Sequence, residues 1–264
     1  MIIIIGIIVG FILGLLGAGG TILAVPFLVF GLNMDPKEAI PLSMFAIALS
    51  SVYGTVYSLK KKQVRYKAAS LIAITGMLLS PIGIWIGNLL PRGPLMIMFS
   101  GILFWVAIRM IVNKKSSATK YKSNQDEEVL PCEMNNSTGK LNWNMRCARA
   151  LSFTGALTGL MSGMLGVGGG FIIVPALKKY SNIQLNNIFP TSIAVIAVVA
   201  CFNSVLFFLH GRLNISLALL FCVGSIIGMI GAKKLTVNTN MLEKIFAYFL
   251  MLIALFLIIK VNFL

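Results

Sequence analysis

The sequence predicts an all-α polytopic membrane protein of two homologous halves, inverted repeats of one another, each opening with a glycine-broken helical hairpin followed by three transmembrane helices. Three observations lead there. Of 264 residues, 58% are hydrophobic and only 11% charged, more apolar length than a single water-facing shell can cover. A glycine-rich stretch, GLLGAGGTILAVP at 14–26, returns as GMLGVGGGFIIVP at 163–175. The basic residues, 22 Lys and Arg against 7 Asp and Glu, sit almost entirely in short connections between apolar runs, a pattern of membrane topology rather than of nucleic-acid binding.

Residues 2–34 carry no charge. As one helix they would reach roughly 50 Å, against a hydrocarbon core near 30 Å, so the run must break. The cluster Gly17-Ala18-Gly19-Gly20 lies near its middle, where glycine lets a helix end and turn at least steric cost. Met1 is followed directly by isoleucines, without a basic region or a cleavage pattern, so the run does not read as a secretory signal. The second block, 39–59, is announced by MDPKEA, with Asp35 as N-cap, Pro36 at the first helical position and Glu38 to complete a capping box. Blocks at 68–91 and 93–108 complete the first half.

Residues 113–146 are polar, of mixed charge and without apolar periodicity, and read as a linker. The second half repeats the plan with blocks at 150–177, 180–209, 213–232 and 245–259. The domain expectation is a first repeat at 1–112, a cytoplasmic linker at 113–146 and a second repeat at 147–264.

One offset places Gly17, Gly19, Gly20 and Pro26 on Gly166, Gly168, Gly169 and Pro175, and also Pro41 and Ser43 on Pro190 and Ser192. After a shift of one residue, GMLLSPIG at 76–83 falls on GSIIGMIG at 224–231. Three motifs in one order indicate duplication. If each first block is a hairpin, the halves are inverted. Lys60, Lys61, Lys62, Arg65, Lys67, Lys178, Lys179, Lys233, Lys234 and Lys244 then share the inner side, as the positive-inside rule prefers, and both termini lie outside. Gly83 with Gly87, and Gly224 with Gly228, have the spacing of close helix packing.

Two half-helices meeting at membrane depth bare N–H and C=O groups that must face protein or a wet cavity. The helix leaving each cluster, from Gly20 and from Gly169 or Gly170, points its partially positive end at the break, a geometry suited to anions. Pro26 and Pro175 keep both elements short. All acidic residues lie in connections or at helix ends, which disfavours a cation or proton carrier and favours an anionic or neutral solute.

The candidate binding residues are Gly17, Gly19, Gly20, Thr21 and Ser43 in the first half, and Gly166, Gly168, Gly169, Gly170, Thr191, Ser192 and Asn203 in the second, with Ser204 a further candidate. His210, the one histidine, and Arg109 are interfacial. Cys132, Cys147, Cys201 and Cys222 have no metal-ligand spacing and read as reduced thiols. No metal, cofactor or catalytic constellation is expected, so an intramembrane enzyme is disfavoured, while a passive anion channel shares nearly all the same features.

The paired Gly-x-Gly-Gly clusters with their prolines, Gly17 to Pro26 and Gly166 to Pro175, and the Pro-x-Ser at Pro41 to Ser43 and Pro190 to Ser192, resemble the sulfite exporter TauE/SafE family over the whole chain except the linker. The resemblance implies a multi-pass permease of the plasma (inner) membrane. Its solutes would be small sulfur-containing anions such as sulfite or organosulfonates, moved with an ion gradient as the driving force. Partners are then the solute, the lipid bilayer and a coupling ion; oligomeric state stays open. The chain departs from internal symmetry in its long linker and in Pro-Leu-Ser against Pro-Thr-Ser.

Overall fold

The computed structural model describes residues 1–16, 20–117, 132, 144–181, 185–211, 214–234, 248 and 251–254. These hold nine helices: α1 (Ile2–Leu16), α2 (Gly20–Gly31), α3 (Pro36–Lys60), α4 (Tyr66–Leu89), α5 (Arg92–Ser117), α6 (Met145–Leu165), α7 (Gly170–Tyr180), α8 (Leu185–Leu209) and α9 (Ile215–Lys234). Four stretches, within α3, α4, α8 and α9, are long and apolar enough to cross a membrane, and α1 and α2 are shorter apolar helices. The chain is a multi-pass, all-α membrane protein.

Helix boundaries follow local chemistry. Asp35 caps α3, its carboxylate accepting from the Lys37 N–H at 3.3 Å, with Pro36 at the first position and Glu38 in the first turn. α2 and α7 begin at glycine, carry Pro26 and Pro175 internally and run for 12 and 11 residues; internal prolines also occur in the 24- and 25-residue helices α3, α4 and α8, so proline alone does not set the length. α5 continues to Ser117, beyond the apolar block that ends at 108, and so takes up the first residues assigned to the linker. The last predicted block, 245–259, and most of the linker lie outside the described residues.

The chain forms two compact units. One comprises Leu90–Val129 and Val237–Leu264 and contains α5. The other, Met1–Leu89 with Leu130–Thr236, contains the remaining helices and both glycine breaks.

In this larger unit α1 and α2 form a hairpin, with Gly20 against Leu13 and Gly31 against Ile5. Each half lends its first helix to the other half. α1 runs parallel to α9, with Gly6, Gly10 and Gly14 facing Gly224, Ser225 and Ala232. α6 runs parallel to α4, with Gly155, Gly159 and Gly163 on Ile72, Gly76 and Ser80. A Cβ on most of these glycines would overlap backbone of the facing helix, which explains the four-residue spacing of small residues on α1, α4, α6 and α9. α3 and α8 are antiparallel, Gly54 lying by Ile193 while Met44 and Asn203 both touch Ser162. Since α3 and α8 are repeat-related, opposed directions are consistent with inverted halves.

Ile72 level with Gly155, and Arg65 bonded to Thr191, bring the start of α4, the end of α3 and the starts of α6 and α8 to one end of the unit. Lys60, Lys61, Lys62, Arg65, Lys67, Arg146, Arg149, Lys178 and Lys179 gather there. The opposite end carries Lys37 and His210.

The reading of all four cysteines as reduced thiols is corrected for one pair. Cys132 and Cys147 are disulfide-bonded, Cα atoms 4.9 Å apart, while Cys201 and Cys222 are free. Cys132 reaches the first turn of α6 because its backbone pairs with the end of α7, its N–H donating to the Tyr180 carbonyl at 3.0 Å. Cysteine spacing holds no trace of that pairing.

Candidate functional site

The second break is built by glycine at positions no other residue fits well. Gly166, Gly168 and Gly169 have φ of 70°, 64° and 69°, in the left-handed region that disfavours L side chains by about 1–2 kcal/mol each. Gly166 ends α6, its N–H donating to the Ser162 carbonyl at 2.9 Å, and Gly169 stands at the N-cap of α7 with no side chain to cap the helix. The first amide to close a turn is that of Ile172, on the Gly169 carbonyl at 3.0 Å, so the amides of Gly170 and Phe171 lie ahead of the helical ladder. Residues 166–171 are all buried.

Other elements converge on this turn. Thr21, at the start of α2, borders Gly168: a Cβ there would stand 3.2 Å from the Thr21 and Ile196 methyls. The N-terminal ends of α2 and α7 therefore meet inside the protein. Gly17 and Gly19 lie outside the described residues. Ser43 sits between the Ile40 and Gly166 carbonyls, at 2.8 and 3.3 Å, so its hydroxyl ties α3 to the turn. Thr158 on α6 packs against Gly169. Its hydroxyl and that of Ser51 are the buried side-chain polar atoms without a hydrogen-bond partner among the described residues.

The remaining candidates lie apart. Ser192 is level with Gly54, which is about 16 Å along α3 from Ser43, so the two repeat-related serines do not meet. Ser192 donates to the Phe189 carbonyl at 2.8 Å. Thr191 donates to the Asn187 carbonyl at 2.6 Å and accepts the Arg65 N–H at 3.1 Å. Asn203 lies about 18 Å further along α8. Its side chain pairs with Ser80 and donates to Ser162 Oγ at 3.1 Å, while Ser204 donates to the Ala200 carbonyl at 2.7 Å.

The two halves differ where the repeat would make them alike. The offset that pairs Gly17 with Gly166 also pairs Val9 with Thr158, Leu13 with Ser162, Met44 with Ile193 and Gly54 with Asn203. On one side Ser80, Asn203 and Ser162 form a fully buried polar chain ending on the Met44 sulfur at 4.0 Å. On the other, Leu13, Ile193 and Met229 form an apolar cluster against Gly54. Thr158, Ser162 and Ser80 were not among the sequence candidates. The available signal was a pair of hydroxyls one turn apart on α6, between the glycines of its packing stripe.

The ends of the unit differ as well. A cavity of about 520 Å³, lined by Lys37, Glu38, Leu42, Asn88 and Asn214 among others, opens where α3 and α9 begin. Its wall at Leu42 adjoins Ser43. Thr191 is the repeat counterpart of Leu42, and there the Arg65 N–H closes onto the threonine hydroxyl. No group of three or more His, Cys, Asp or Glu that could hold a metal occurs among the described residues.

Comparison with known proteins adds the following. The family model described as "Sulfite exporter TauE/SafE" matches residues 2–257. A "Probable membrane transporter protein" of Xylella fastidiosa is 28% identical over 255 residues, covering 95% of this chain and 91% of the relative. A Bacillus subtilis protein with the same description is 24% identical, covering 92% and 90%. One from Methanocaldococcus jannaschii is 28% identical over 188 residues, covering 68% and 62%. No solved structure matches the chain.

Proposed function

The chain belongs to the sulfite exporter TauE/SafE family, and from that membership together with the buried helix ends we propose a secondary transporter of small sulfur-containing anions, sulfite or organosulfonates, across the plasma membrane. The observation that carries this reading is the uncapped N-terminus of α7, buried beside an unpartnered Thr158 hydroxyl. Amides ahead of a helical ladder and a free hydroxyl are donors, and a helix N-terminus favours negative charge without a basic side chain. The acidic residues are confined to connections and helix ends, so the site is free of competing carboxylates.

The anion is held on the second half's side. Donors there come from the turn 168–171 and Thr158, backed by the Ser80–Asn203–Ser162 chain, whereas the repeat-related position is apolar. Thr21 supplies the facing surface, and Ser43 positions the turn rather than meeting the solute. Rocking of the halves would then expose the site alternately, with the cavity at Lys37 as one approach.

Thermal stability of the purified protein tests the reading. Sulfite, thiosulfate, sulfoacetate or taurine should raise the melting temperature with saturation, and indifference to all four would remove the anion site. In proteoliposomes, flux should depend on an imposed ion gradient; flux of equal size without one would make the protein a channel.

A further inference from the structure

We propose that Cys132 and Cys147 form a redox-reversible clamp, a thiol–disulfide site that ties the feet of the α6–α7 hairpin together on the cytoplasmic side. Two observations collide here. The cysteines are bonded to one another. They also sit at the end of the larger unit that gathers Lys60, Lys61, Lys62, Arg65 and Lys67 with Arg146, Arg149, Lys178 and Lys179. The positive-inside rule puts that end in the cytoplasm, where thiol buffers keep cysteines reduced and the disulfides that do form are transient and redox-sensing. A bond in that place is one that is made and unmade.

The geometry gives it something to act on. Cys147 lies in the first turn of α6. Cys132 bonds covalently to it and, through its N–H, to the carbonyl of Tyr180, the last residue of α7, with Ser181 alongside. One residue thus bridges both open ends of the hairpin whose closed end is the glycine turn 166–169. Bonded, the feet cannot separate. Reduced, Cys132 keeps its backbone pairing to α7, and α6 is released from it.

Cys147 stands in the first turn of α6, flanked in the sequence by the exposed Arg146 and Arg149. In the forward direction the Cys147 thiolate attacks a small-molecule disulfide such as glutathione disulfide, forming a mixed disulfide and releasing one thiol. Cys132, losing its proton, then attacks the Cys147 sulfur, closing the protein disulfide and releasing the second thiol. Two electrons and two protons pass to the oxidant. A dithiol reductant of the thioredoxin class runs the same exchange in reverse. Both cysteines are buried, so exchange requires Cys132 to part from the α7 end.

The test uses full-length protein in intact cells, acid-quenched and alkylated with a maleimide mass tag, with Cys132→Ser and Cys147→Ser to assign the signals. In unstressed cells both thiols should be tagged. Brief treatment with a disulfide-forming oxidant should protect both together, and dithiothreitol should restore tagging. Purified oxidised protein should melt at a higher temperature than reduced protein, a difference absent from Cys132→Ser. A pair bonded in unstressed cells and unmoved by dithiothreitol, or a pair never protected by oxidant, overturns the clamp. None of these readouts depends on the solute, so the transport reading and the clamp fail separately.

Discussion

Thr158 separates a structural from a functional role by the sign of its effects. Its hydroxyl is buried without a partner, an arrangement that costs about 1–3 kcal/mol. Thr158→Val keeps the shape and removes the orphan, so the anion-free protein should melt no lower, and by this measure higher, than the parent. The stabilisation added by sulfite should shrink at the same time. Lower stability in both conditions would mark Thr158 as packing alone. Gly168→Ala offers the converse: at φ 64° the alanine is strained, and its methyl stands 3.2 Å from Thr21 and Ile196. It should destabilise by about 1–2 kcal/mol and sharply reduce anion-dependent stabilisation, both read by thermal unfolding. Glycine at these positions was legible because a cluster repeated in the middle of an overlong apolar run has few other uses. Thr158 was not, since a lone threonine on an apolar helix ordinarily bonds its own helix carbonyl, as Thr154 does one turn earlier.

Among the helices, the parallel pairs α1–α9 and α4–α6 bring backbones into direct approach through glycine stripes. Between apolar helices in lipid no hydrophobic drive remains, so close van der Waals packing decides the association. Gly159→Ala would press its methyl into the Gly76 backbone, which cannot move aside without parting α4 from α6. It should lower stability by about 1–3 kcal/mol in thermal unfolding. Gly101→Ala, whose methyl would meet no atom of the described residues within 4 Å, should be neutral or slightly stabilising. The spacing of Gly83 with Gly87 and of Gly224 with Gly228 announced packing, and the Asp35 cap announced the start of α3. The partner of each stripe could not be read, because four-residue spacing says that a face is small and nothing of which helix fills it.

For the larger unit as a whole, the prediction concerns sides. Lys62→Cys and Lys179→Cys should label with an impermeant maleimide only from the cytoplasm, and Asn33→Cys and Asn214→Cys only from the other face. Lys62 and Asn33 labelling from one face would break the inverted arrangement. The apolar blocks, the glycine clusters that interrupt them and the placing of basic residues in short connections can be read from the sequence alone, because bilayer thickness, unpaired backbone and charge each act on contiguous stretches of chain. Only the tertiary structure decided that α1 and α6 are exchanged between halves, that Ser43 and Ser192 stand apart, that polar residues line one repeat position and apolar residues the other, and that Cys132 meets Cys147. Those are contacts between residues far apart in the chain, where duplication makes either half an equally good partner and side-chain packing makes the choice.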